Sequence, residues 1–75
     1  MGLQIVKKPH RFYPYARPHY DVLQGSAKLG SFWFANGTIF ALAANDESYM
    51  GTDIGLVETT DAANWVRDKY FQLKK

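Results

Sequence analysis

The sequence predicts an α+β domain in which an antiparallel β-sheet of three to five strands carries one amphipathic C-terminal helix on one face. Three observations predict this fold. An Asn-Gly pair separates two runs of aromatic and β-branched residues, a Gly-Ser pair precedes them, and apolar residues recur at helical spacing near the end of the chain. With 75 residues and no segment of linker composition, residues 1–75 are expected to form a single domain.

The Asn36-Gly37 pair is the strongest local signal in the sequence. A type I′ turn requires positive φ at both central positions, and Asn followed by Gly adopts these angles with little strain. We therefore expect a central hairpin with strands at 29–35 and 38–44. The two-residue turn fixes its register, which pairs Ala35 with Thr38, Phe34 with Ile39, Trp33 with Phe40 and Phe32 with Ala41.

A second hairpin is predicted just before the first. Gly25-Ser26 fits a type II′ turn, with Gly at the first central position, between strands at 19–24 and 27–35. Gly30 is suited to a β-bulge, which would reverse the alternation of side chains in the strand before it.

Shorter strands are expected on either side of these hairpins. They fall at 3–7 and at 54–58, the second after a polar loop. The β-meander as a whole then occupies residues 19–58.

The C-terminal segment predicts a helix over 60–73. Thr59 or Thr60 can cap its first turn, and Asp61 places a negative charge where the helix dipole favours one. Apolar residues at helical spacing form a single stripe, which consists of Ala62, Trp65, Val66, Tyr70 and Leu73.

Alternation along the central hairpin makes both of its faces apolar, whereas one helix can cover only one of them. The face with Trp33, Phe40 and Leu42 is the more continuous, so the helix is expected there. A second face, with Phe32, Phe34 and Ile39, is then left for another cover and is the predicted partner-binding site. Three covers remain open: the N-terminal segment of the chain, a second copy that would make a homodimer, or a foreign protein.

Residues 1–18 form an extended, basic segment rich in Pro and Tyr. Its three prolines exclude a helix, and its cations alternate with aromatic rings, a combination that binds single-stranded nucleic acid. A proline-stiffened loop whose tyrosines pack on the sheet is the other interpretation. Under the nucleic-acid alternative the binding residues are Lys7, Lys8, Arg11, Tyr13, Tyr15 and Arg17.

Few residues in the chain are suited to catalysis or metal binding. The absence of cysteine excludes disulfides and thiolate metal sites. His10 and His19 are the only histidines, and Asp21 is the only acidic residue near them, without the spacing of a metal site. His19 and Asp21 could act as an acid–base pair only if they touch, which alternation on a strand does not ensure. We therefore expect no metal, no cofactor and no enzymatic activity.

The chain contains no signal peptide and no apolar run of membrane-spanning length, so a cytoplasmic location without membrane contact is expected. The closing pattern, Gly55-Leu-Val-Glu followed by Thr-Thr-Asp-Ala-Ala-Asn-Trp-Val, resembles the endings of many small bacterial and bacteriophage modules. The resemblance implies an accessory protein that binds a host factor. Together these observations favour a non-catalytic module for protein–protein interaction, with nucleic-acid binding as the alternative.

Overall fold

The structure, a computed structural model, is an α+β fold with a five-stranded antiparallel sheet and one helix packed on it. It describes residues 2–8, 19–47 and 50–74. The strands lie side by side in chain order, so the sheet is a simple meander with β1 and β5 at its edges. The elements are β1 (Gln4–Lys8), β2 (His19–Gln24), β3 (Ala27–Ala35), β4 (Thr38–Ala43), β5 (Thr52–Gly55) and α1 (Thr59–Lys74).

The predicted central hairpin is confirmed in both its turn and its register. Asn36 and Gly37 have φ angles of 54° and 80°, the two positive values that a type I′ turn requires. The four cross-strand pairs expected between the strands are all present, from Ala35 opposite Thr38 to Phe32 opposite Ala41.

The predicted bulge is also present, and it decides which residues share a face. Gly25, with a φ of 63°, turns the chain so that Gln24 pairs with Ala27, but the register then shifts. Leu29 is the extra residue on β3, and beyond it Val22 pairs with Gly30. The extra residue reverses the alternation of side chains between the two strands, so Tyr20 and Val22 lie on the same face as Phe32.

The helix packs on the face that contains Phe32, which corrects the expectation that it would cover Trp33. Gly30 shows why: a Cβ added there would lie 2.6 Å from Cγ1 of Val66, so the helix approaches the sheet where a side chain is missing. Small side chains at Ala41 and Ala43 continue this flat strip along β4. The buried cluster consists of Val22, Leu29, Phe32, Ile39, Ala41, Ala62, Ala63 and Val66.

The predicted second face is therefore not the uncovered one. Phe32 and Ile39 are completely buried in the cluster beneath α1, and a partner could reach neither without displacing the helix. Phe34 lies on the same face nearer the end of the sheet and is 41% exposed. Its ring packs edge-on against Tyr20, with centroids 6.2 Å apart.

The helix begins one residue earlier and ends one residue later than the predicted 60–73. Its buried residues are Ala62, Ala63 and Val66, whereas Trp65 and Tyr70 pack partly exposed against the cluster and Leu73 is exposed. Small residues therefore line the closest contact, and the larger ones flank it. Within the described ranges, no helix is both long and apolar enough to cross a membrane.

The outer strands differ from their expected bounds. At β1 the strand lies one residue further along than predicted. At the other edge, β5 ends at Gly55, whose φ of 84° leaves the extended region, and the Gly55 N–H donates a hydrogen bond of 2.9 Å to Oδ1 of Asp53. This local turn excludes Leu56 and Val57 from the predicted strand, and Leu56 is 76% exposed.

Candidate functional site

The face of the sheet opposite α1 is the candidate site, and we refer to it as the helix-free face. In the described part of the chain, neither the helix nor any strand packs over it. Alternation from the observed register gives its members on all five strands. They are Gln4, Val6, Lys8, His19, Asp21, Leu23, Lys28, Ser31, Trp33, Ala35, Thr38, Phe40, Leu42 and Asp53.

One row of this face crosses the whole sheet. Each of its members is the direct cross-strand partner of the next: Lys8, His19, Trp33, Phe40 and Asp53. A cation therefore stands at the β1 end, two aromatic rings lie at the centre and a carboxylate stands at the β5 end. Directly paired side chains on one face are close enough to interact, so this cross-strand row is a continuous surface.

Trp33 and Phe40 form the apolar centre of the row. Their ring centroids are 6.4 Å apart and the ring planes differ by 13°, an offset parallel arrangement that aromatic pairs favour. The edge of the Trp33 indole lies directly against the backbone of Gly51, just before β5. A Cβ at that position would lie 2.6 Å from Cζ2 of Trp33 and 3.2 Å from Cβ of Phe40. The indole therefore extends across β4, and both rings remain partly exposed.

An ion cluster lies beside the aromatic pair. Asp21 is 7% exposed, and its Oδ1 lies 3.4 Å from Nε2 of His19 and 3.4 Å from Nζ of Lys28. The side chains of His19 and Lys28 are 40% and 52% exposed, so the Asp21 carboxylate is buried in the sheet while its two partners reach the surface.

This cluster settles the geometric question about His19 and Asp21, since the two side chains do touch. Nε2 of His19 and Oδ1 of Asp21 are 3.4 Å apart, which is longer than a typical hydrogen bond. In the described residues, no group of three or more His, Asp or Glu side chains is placed to hold a metal ion.

Of the residues predicted to bind nucleic acid, the structure describes only Lys7 and Lys8. Lys7 and Lys8 are consecutive on β1 and therefore point to opposite faces, with only Lys8 on the helix-free face. The remaining four, Arg11, Tyr13, Tyr15 and Arg17, lie outside the described residues, in the connection between β1 and β2. That connection begins and ends at one place, because Lys8 and His19 are paired.

The sequence alone missed the ion cluster and the ends of the row. The turn at Gly25-Ser26 pairs Leu23 with Lys28 and so places Lys28 on the face of Asp21. The shift that follows places both of them on the face of Trp33 rather than on that of Phe32. Comparison of the chain with protein-family models, with curated proteins and with solved structures gives no match. Inference about function therefore rests on the geometry and the charges of the helix-free face.

Proposed function

We propose that the chain is a non-catalytic protein-binding module that binds its partner through the helix-free face. The observation that carries the proposal is the pair of large aromatic rings at the centre of this face, partly exposed, with no described helix or strand over them. Leu42, two residues along β4 from Phe40, extends this apolar area and is also partly exposed. Contiguous apolar area of this kind is typical of interaction sites, and Trp and Phe are enriched in them.

The charges of the face favour a protein over a nucleic acid. Among the residues that the structure describes on this face, Lys8 and Lys28 are balanced by Asp21 and Asp53, so these four side chains bring no net positive charge to the aromatic pair. Nucleic-acid binding depends on neutralising several phosphates with Lys and Arg, and a balanced face does this poorly. A protein surface of mixed charge matches such a face better.

The accessory role that the C-terminal resemblance implies belongs to the same proposal: the partner is a host protein or a second copy of the chain. The cysteine-free composition supports a cytoplasmic site of action.

Photo-crosslinking from within the face tests the proposal. The photoreactive analogue p-benzoylphenylalanine replaces Phe40 in one variant and Phe71 in the control, since Phe71 lies on α1 and is 43% exposed. After irradiation in cells of the source organism, position 40 is expected to form protein adducts that position 71 does not form. The proposal is wrong if position 40 forms no protein adduct, or if both positions yield the same ones.

Nucleic-acid binding remains a second candidate because of one observation. The paired residues Lys8 and His19 join the basic, Tyr-rich connection to the same row that contains Trp33. Single-stranded oligonucleotide should then quench tryptophan fluorescence, and its affinity should fall steeply with salt. Lys8→Ala should weaken this binding and reduce the salt dependence. Absence of quenching at low salt removes this candidate.

A further inference from the structure

We propose that the partner at the helix-free face is a second copy of the chain, bound face to face about a two-fold axis parallel to β3. The inference rests on the proposed function, to which it adds the identity of the partner. In this dimer the two sheets stack with their helices outward, and Trp33 of one copy meets Trp33 of the other. Packing of two sheets through their apolar faces is a standard architecture, with strand directions within about 30° of each other.

The strand order makes the sheet compatible with this symmetry. β3 is the middle one of five strands, so two strands lie on each side of it. A two-fold rotation about an axis that runs between the stacked sheets and parallel to β3 exchanges the two sides. It places β1 of one copy over β5 of the other, and β2 over β4. Such an interface is isologous, with the same patch on both subunits.

The cross-strand row is self-complementary under this rotation. Lys8, at the β1 end, is placed over Asp53 of the second copy, and the same contact recurs at the opposite end of the row. His19 is placed over the ring of Phe40. The two ion pairs thus flank an aromatic centre, which is the arrangement of a polar rim around an apolar core.

The charges at the two ends of the row also distinguish between possible orientations of the second copy and between possible partners. An axis in the same plane but perpendicular to the strands would place β1 over β1, with Lys8 facing Lys8 and Asp53 facing Asp53, and like charges opposed in an interface are unfavourable. A uniformly acidic or basic partner would match only one end of the row. A second copy turned about the β3 direction matches both ends.

Sedimentation of charge-reversed variants tests the inference. Lys8→Glu and Asp53→Lys each oppose like charges at both ends of the row, so each is expected to raise the dimer dissociation constant by roughly tenfold or more. Mixed in equal amounts, the two variants regain both ion pairs. The introduced glutamate of one copy then faces the introduced lysine of the other, and the native Asp53 faces the native Lys8. The mixture is expected to form a dimer that neither variant forms alone.

Lys7→Glu is the matched control for both variants. Lys7 lies on the opposite face of β1, so reversing its charge should leave the dimer unchanged. Circular dichroism shows whether each variant is folded. If Asp53→Lys is unfolded, photo-crosslinking tests the dimer instead. In the otherwise native chain, p-benzoylphenylalanine at position 40 should form an adduct of twice the monomer mass, attached to the peptide that contains His19.

The outcomes separate this inference from the proposed function. A folded native chain that stays monomeric at all concentrations overturns the inference, as does a mixture that fails to associate. An adduct at position 40 to a different protein would overturn the inference and leave the proposed function intact, whereas no protein adduct would overturn both.

Discussion

Both faces of the sheet have apolar side chains at their centre, yet the helix packs on only one of them. On the covered face the residues beneath α1 include Gly30, Ala41 and Ala43, which together leave a shallow strip along the sheet. The helix-free face has Trp33 and Phe40 at the corresponding positions of its own central row. The small residues of the covered face therefore let α1 approach the sheet closely, whereas the rings of Trp33 and Phe40 make the helix-free face too bulky for such an approach.

The helix therefore packs on the face of the sheet that it can approach closely, and not on the face with the larger apolar side chains at its centre. Contact with a flat strip brings many atoms of the helix to van der Waals distance, and dispersion gains accumulate over such contacts. The helix contributes small residues of its own, Ala62 and Ala63, which are also buried. Large aromatic rings in the same position would hold the helix away from the sheet.

The largest difference between the faces should appear when neighbouring aromatic residues are truncated. Phe32→Ala removes a completely buried ring from the cluster and should lower the free energy of unfolding by about 3–5 kcal/mol. Trp33→Ala, one residue along and on the helix-free face, should lower it by about 1–2 kcal/mol, because the indole is partly exposed. Urea denaturation of both variants at a protein concentration that favours the monomer measures the difference. Equal losses would show that both faces are core.

Gly30 is the point where the helix comes closest to the sheet. In Gly30→Ala the new Cβ would meet the Leu42 carbonyl oxygen as well as Val66, and a rigid backbone can yield little. The free energy of unfolding should fall by about 1–3 kcal/mol, as in other overpacked cores. Gly2→Ala is the control, because no atom lies within 4 Å of a Cβ added there. A Gly30→Ala protein as stable as the native chain would contradict the close approach of Leu42 and Val66 to this position.

The Asn36-Gly37 turn sets the register, and with it the face on which each residue of β3 and β4 lies. Gly37→Val places a β-branched residue at a φ of 80° and should destabilise the protein by about 1–2 kcal/mol. Gly37→Asn should be better tolerated, since Asn adopts positive φ more readily than other non-glycine residues. Thermal denaturation measures both effects. Similar losses for Val and Asn would contradict a type I′ turn.

The smallest effect is expected at Gly51, on the helix-free face. Gly51→Ala pushes the indole of Trp33 away from the backbone. Because this side chain is partly exposed it can move, so the free energy of unfolding should fall by only about 1 kcal/mol. The displaced indole should be more hydrated, so tryptophan emission should shift to the red. The same shift should be absent from the double variant with Trp33→Phe, which separates Trp33 from Trp65. If the shift persists in that double variant, the contact between Gly51 and Trp33 is wrong.

Local chemistry predicted much of this fold. Asn36-Gly37 defined the central hairpin and its register because its turn needs only two residues, and the helix followed from its own periodicity. The face on which the helix packs could not be predicted this way. It depends on whether the bulge at Gly30 forms and on the depth of the strip beside it, which arises only when β3, β4 and α1 come together.

The sequence predicted the aromatic pair of the candidate site, but placed that pair beneath the helix. Trp33 and Phe40 were expected to share a face, and they do. The ends of the row were not predicted, because the sequence placed the last strand at 54–58 and left Asp53 outside it. The hydrogen bond from the Gly55 N–H to Asp53 forms a turn that ends the strand at Gly55, so the strand lies nearer the N-terminus than predicted. Strand propensity does not predict a side-chain hydrogen bond of this kind.

Nuclear Overhauser effects from the methyl groups of Val66 show directly which face of the sheet α1 covers. The helix should lie on the face of Gly30 and leave Trp33 and Phe40 free. Selective methyl labelling of valine isolates these contacts. The structure predicts strong effects between a Val66 methyl group and the α protons of Gly30, and none to the indole protons of Trp33. Effects from Val66 to the rings of Trp33 or Phe40, with none to Gly30, would place the helix on the other face and contradict the account.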